Sequence, residues 1–227
     1  MQNPDGQQRR CGHVRRARAL ICLLLCCLLP LIASCSEQPP ERKKERITLL
    51  FGFDYGMSRA EVAKSAGAGR CSDDLDSLCR REPASFFKYQ WDQRFYFQRD
   101  KLVAVELRRN NSKDVQTTVN KWLDSGYRFM PTLVKSDGRE MDILALVKQY
   151  GRDVTRQAVQ DFLKSTPLDA TTTYIYGDFD RKQALLTGAK NHATVLARAP
   201  RDFILIEESV NEETISLIFR APAAERK

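Results

Sequence analysis

The chain has 227 residues, 42% of them hydrophobic and 29% charged, a composition that supports one sizeable core or two small ones. Its formal net charge of +8 is concentrated at the start: beyond residue 34 there remain 32 basic and 28 acidic side chains, a net of +4. That balance makes no case for nucleic acid as a partner.

Arg9, Arg10, Arg15, Arg16 and Arg18 precede an uncharged apolar run of about 16 residues that closes on small side chains, the order of a secretory signal peptide. A spanning helix wants about 20 apolar residues, and Pro30 interrupts this run. Its last four residues, Ile32-Ala33-Ser34-Cys35, resemble the lipobox of bacterial lipoproteins. The resemblance implies that residues 1–34 are a signal peptide removed by cleavage. It also implies that Cys35 carries the lipid and that the chain is held to a membrane. Ser36 rather than Asp follows, which in Gram-negative members permits sorting to the outer membrane, facing the periplasm; in a Gram-positive cell the anchor would be the cell membrane. Residues 36–46 offer no apolar side chain to bury and form a solvated tether of about 35–40 Å at full stretch.

Of seven cysteines, only Cys71 and Cys79 remain for the folded part. In an oxidising compartment two cysteines eight apart read as a short disulfide, worth about 2–3 kcal/mol in the chain-entropy picture. Zinc is the alternative, but His192 is the one histidine left, too few to close a four-ligand site without carboxylates.

The folded part, 47–220, opens on a short apolar segment, Ile47-Thr-Leu-Leu-Phe. Ser58 and Glu61 then form a capping box that starts a helix over 59–66, stopped by Gly67, with Met57 and Val62 as a hydrophobic staple. Residues 85–109 alternate with period two and read as a three-stranded antiparallel meander with turns near Asp92-Gln93 and at Arg99-Asp100-Lys101. Gly-Met-Ser-x-x-Glu-Val, a loop, an aromatic strand and the run Phe95 to Leu107 together resemble the helix-plus-meander unit of the BamE/SmpA outer-membrane lipoproteins and their β-lactamase-inhibitor-like relatives, over about 55 residues. A cysteine loop stands where that family has Leu-Gly-x-Pro. The resemblance implies a periplasmic protein-binding domain.

From 112 to 166 the period becomes helical. One helix is capped by Ser112 and stopped at Gly126, a second runs from Ile143 to Gly151, and a third carries Val154, Ala158, Phe162 and Leu163 before Pro167. Five strands follow over 172–176, 183–187, 193–198, 203–207 and 214–220, leaving 221–227 as a tail. The fold class is α+β, either as lobes 47–110 and 111–220 or as one sheet flanked by the central helices.

Enzyme signatures are sparse. One histidine, no free thiol and no phosphate-cradling glycine loop leave no nucleophile system to assemble, and no cofactor or metal ion is expected. His192 reads as a polar residue in a turn. Asp73, Asp74 and Asp76 form an acidic loop without the features of a calcium site, and Asp178 and Asp180 fall in a hairpin turn, where Asp suits local hydrogen bonds. Phe53, Phe86, Trp91 and Tyr96 exceed what a small core needs. Trp91 and Tyr96, with Arg94 and Arg99, are the candidate contact residues for a partner, while packing under the central helices is the other account of the aromatic surplus. The leading functional reading is a non-enzymatic lipid-anchored protein that binds another envelope protein, an accessory of outer-membrane assembly or maintenance. A lipid-anchored cell-wall hydrolase working through carboxylates and a carrier of a small ligand or lipid, with its cavity between sheet and helices, are the alternatives.

Overall fold

The computed structural model describes residues 46–125 and 128–225. The signal peptide, Cys35, the tether up to residue 45, Gly126 and residues 226–227 therefore lie outside the described residues.

Strands β1 (Thr48–Leu50) and β2 (Phe53–Asp54) form a small hairpin. Helix α1 (Arg59–Ala66) begins as its sequence dictates: the Glu61 amide donates to the Ser58 hydroxyl and the Ser58 amide to the Glu61 carboxylate. It ends at Gly67, whose φ of 62° is the left-handed cap that glycine adopts without a Cβ penalty. Strands β3 (Ala68–Arg70) and β4 (Leu78–Arg80) carry the chain through the cysteine loop.

The meander consists of β5 (Ala84–Phe86), β6 (Tyr89–Gln98) and β7 (Lys101–Asn110). The turn expected near Asp92 and Gln93 is absent. Both residues lie inside β6, opposite Arg108 and Leu107, and the first turn is at Phe87 and Lys88. The second turn is where it was expected: Arg99 and Asp100 both have positive φ, the two-residue hairpin geometry that matches strand twist.

Helix α2 (Lys113–Leu123) is capped by Ser112 as expected, its hydroxyl accepting from the Val115 amide. The stretch after it is not wholly helical, because strands β8 (Phe129–Ser136) and β9 (Arg139–Met141) precede α3 (Ile143–Tyr150) and α4 (Arg152–Lys164). Gly151, at φ 81°, is both the end of α3 and the start of α4. Strand β10 (Thr172–Asp178) follows. The next two expected strands are helices instead, α5 (Gln183–Gly188) and α6 (His192–Arg198). Strands β11 (Leu205–Val210) and β12 (Thr214–Arg220) and the short α7 (Pro222–Glu225) complete the fold.

All strands but the first hairpin join one antiparallel sheet in the order β3-β4-β6-β7-β12-β11-β10-β8-β9, with β5 also on β6. The fold is α+β, and the sheet runs through position 110: β7 pairs with β12 along its length. One face carries Trp91, Phe95, Val105, Leu107, Leu217, Ile215 and Ile206, packed with Val62 of α1 and with Val115, Val119 and Leu123 of α2. Further along that face Val134 meets Ile143 of α3 and Phe162 of α4. The opposite face is covered at its β8–β10–β11 end, where Leu133, Ile175 and Leu205 pack with Phe179, Val195, Phe203 and Ala223. The packing there is tight: a Cβ on Gly177 would lie 2.6 Å from the Phe179 ring and 2.8 Å from that of Phe203.

Candidate functional site

The four residues picked out as partner contacts do not share a surface. Side chains alternate along a strand, so Trp91 and the even-numbered Arg94 and Tyr96 point to opposite faces of the unbroken β6. Trp91 is fully buried, with Nε1 donating to the Phe86 carbonyl at 3.2 Å, and is a core residue rather than a contact. Arg94 donates to both Asp73 oxygens at 2.7 and 2.5 Å and holds that carboxyl below its usual range. The Tyr96 hydroxyl donates to Glu106 Oε2 at 2.5 Å; burial, and then this carboxylate, push its pKa up to about 12. Arg99 is exposed on the hairpin turn.

Cys71 and Cys79 stand at disulfide distance, their sulfurs 2.08 Å apart, which takes both thiols out of any metal site. In the loop between them, Asp74 Oδ1 accepts from the Asp76 amide, a local turn contact. Asp178 is not in a hairpin turn: it ends β10, buried, with Oδ2 gripped by Arg128 at 2.6 and 3.1 Å and Oδ1 accepting from the Asp180 amide.

His192 is the first residue of α6 rather than a turn residue, and is half-buried. The Thr132 hydroxyl lies 3.0 Å from the Ile175 carbonyl and 2.9 Å from His192 Nδ1; its one proton goes to the carbonyl, so Nδ1 carries the other and donates. Burial lowers the His192 pKa. Asp142 caps two helices, accepting from the Ala145 amide of α3 and the His192 amide of α6.

Two surfaces are less closed. The first is aromatic. Phe51 and Phe87 are 46% and 43% exposed, and both stand at positive φ (51° and 55°) on hairpin turns. Phe86 touches Phe51, Phe87 and Trp122 with ring centroids 5.7, 4.2 and 5.4 Å apart, and Trp122 extends the cluster to Phe129 at 4.9 Å. A bulky side chain in the left-handed region costs of order 1–3 kcal/mol.

The second is a cleft over the sheet between α2 and the segment that follows α4. It has a volume of about 670 Å³, and its floor is Tyr174, Tyr176 and Glu208, with Asp124 at the end of α2 on its wall. Tyr174 lies opposite Glu208 across β10 and β11, and the two tyrosine rings are 6.2 Å apart. Glu208 is 3% exposed, and Tyr176 donates to its Oε2 at 3.2 Å. Burial pushes the Glu208 pKa up to about 7; the Tyr176 hydrogen bond opposes this and Asp124 adds to it. Tyr174 is pushed up to about 12 and Tyr176 further, both mainly by burial. A second cavity of about 710 Å³ shares Asp124, Tyr174 and Tyr176 and continues between β8, α3 and α4, with Arg152 and Arg156 on its far wall.

Sequence reasoning passed over Phe51, Phe87 and Glu208. For Glu208 a signal existed: it stands between Ile206 and Val210 at the apolar phase of its strand, where a carboxylate has no ordinary reason to be. No helix among the described residues is long and apolar enough to cross a membrane. No protein-family model, curated protein or solved structure matches the chain.

Proposed function

We propose that the chain is a lipid-anchored protein of the bacterial envelope, held at the outer membrane through Cys35 and facing the periplasm, whose folded domain binds another envelope protein and does not itself catalyse. The lipobox-like residues 32–35 and the Cys71/Cys79 pair support the destination, since disulfides persist in oxidising compartments. The observation that carries the binding reading is the pair of exposed phenylalanines, Phe51 and Phe87, held at positive φ against Phe86. Two strained, solvent-facing aromatic rings lower the stability of the free chain, and rigid aromatic anchors of this kind dominate the energetics of protein interfaces. The contact therefore moves from the Trp91 edge to the neighbouring aromatic cluster, with Trp122 at its centre.

A photo-crosslinking amino acid at position 87 in living cells tests this reading. One discrete envelope protein is expected to be captured, and Phe51→Ser is expected to reduce the capture at least tenfold. Absence of any discrete adduct, or cleavage of peptidoglycan by the purified full chain, would overturn it. The anchor is tested separately with a palmitate analogue: label is expected on the wild type and lost in Cys35→Ser, and an unlabelled wild type would end the lipoprotein reading.

A further inference from the structure

A glutamate that is 3% exposed ordinarily has a cationic partner, because an unpaired buried carboxylate costs several kcal/mol. Glu208 has none. Among the described residues no Lys, Arg or His lines the 670 Å³ cleft, whereas Asp124, Glu208 and Glu212 do. The elements packed around the carboxyl present Tyr174 and Tyr176 from β10, Asp124 from the end of α2 and Glu212 from the loop after β11, so every ionisable group facing it is acidic or phenolic. The rest of the wall is uncharged, with the amides of Asn111, Gln116 and Asn120 and the aliphatic Leu163, Pro167 and Val210.

We propose that this cleft binds a small molecule bearing a protonated or quaternary amine, its cationic head seated against Glu208 beside the rings of Tyr174 and Tyr176 and its body lying along the amide and aliphatic walls. Three features converge on that class. The buried carboxyl lacks a counter-charge, two phenol rings offer the negative faces that attract an ammonium group, and the volume lies within the range of small-ligand sites. An anionic ligand is disfavoured by the three acids, and a neutral polyol leaves the Glu208 charge uncompensated. This site is independent of the protein-binding reading and can stand or fall without it.

Binding of a cation ionises Glu208. With its carboxyl at about 7 in the empty cleft, most of the protein is protonated there at pH 6 and little of it at pH 8. Calorimetric titration of the full chain with choline and with spermidine is therefore expected to show saturable binding of at least one of them. Affinity should be about tenfold higher at pH 8 than at pH 6, with release of close to one proton at the lower pH. Glu208→Gln is expected to abolish the pH dependence and weaken binding at pH 8 at least tenfold. Tyr174→Leu is expected to weaken it several-fold at both pH values, each variant keeping a cooperative unfolding transition. The neutral isostere 3,3-dimethylbutan-1-ol and a neutral disaccharide are expected not to bind. Equal affinity for the isostere and choline, saturable binding of the disaccharide alone, wild-type affinity in Glu208→Gln, or no saturable binding of either amine would each overturn the proposal.

Discussion

Glu106 and Glu208 lie on opposite faces of the same sheet, both buried in mid-strand and both accepting a hydrogen bond from a tyrosine, Tyr96 in one case and Tyr176 in the other. On the outer face a cation is at hand: Arg94 stands directly across from Glu106 and attracts it, while its own ion pair is with Asp73 in the disulfide loop. In the cleft burial, with the like charge of Asp124 adding to it, pushes the Glu208 carboxyl up to about 7. The same tyrosine–glutamate pair is thus a finished structural part on one face and an unmet demand on the other. What differs is whether the fold brings a positive charge with it.

The widest separation between the two should appear with pH. Below about 4.5 the Glu208 carboxyl is protonated in the folded and the unfolded chain alike and costs nothing; as pH rises from there the unfolded chain ionises first, so stability falls until the folded carboxyl ionises at about 7 and is level above it. Glu208→Gln is therefore expected to change stability little at pH 4 and to raise it by about 3 kcal/mol at pH 8, read by urea unfolding at both. Equal effects at the two pH values would erase the contrast. Replacing Cys71 and Cys79 together by serine is expected to cost about 2–3 kcal/mol. It should also loosen Arg94 through Asp73 while leaving the pH response of the cleft intact; a response that disappears with the disulfide would mean the two faces are coupled. Arg94→Met should destabilise the fold at pH 7, since it removes both the ion pair with Asp73 and the positive charge across from Glu106; an unchanged urea midpoint would show that Glu106 does not need it. The finest test sets Tyr96→Phe beside Tyr176→Phe. Each is expected to cost about 1 kcal/mol, the first more than the second because its hydrogen bond is shorter and its acceptor has a cation alongside.

How far each region was legible follows from the range of the signals. The helices at 59, 113 and 143 are declared by side chains within three residues of their starts, Ser58 with Glu61, Ser112 and Asp142, and such contacts form wherever the rest of the chain goes. Segments 183–188 and 192–198 are too short for a helical period to separate from alternation, and they are helices because Val195 and Ala189 have the covered face of the sheet to pack on. Strand β8 was hidden by Pro131. The register shifts there, Leu133 pairing with Ile175 and Pro131 with Tyr176, so the proline falls at a bulge and the extra residue, Thr132, turns its hydroxyl to the Ile175 carbonyl and His192. The misplaced turn at Asp92 had the largest consequence: once β6 is continuous, parity alone separates Trp91 from Arg94 and Tyr96.

By itself the sequence determined the α+β class, the helix caps at Ser58, Gly67 and Ser112, the 99–100 hairpin and the pairing of two cysteines eight residues apart, all but the first carried by contacts between near neighbours. Tertiary structure alone decided that one sheet runs from Ala68 to Arg220, that Phe51 meets Phe86, and that Glu208 comes to rest beside Tyr176 with Asp124 nearby and no cation among the described residues. These are meetings of residues tens of positions apart, and whether a buried charge finds its partner depends on where distant strands bring their side chains, which no local pattern encodes.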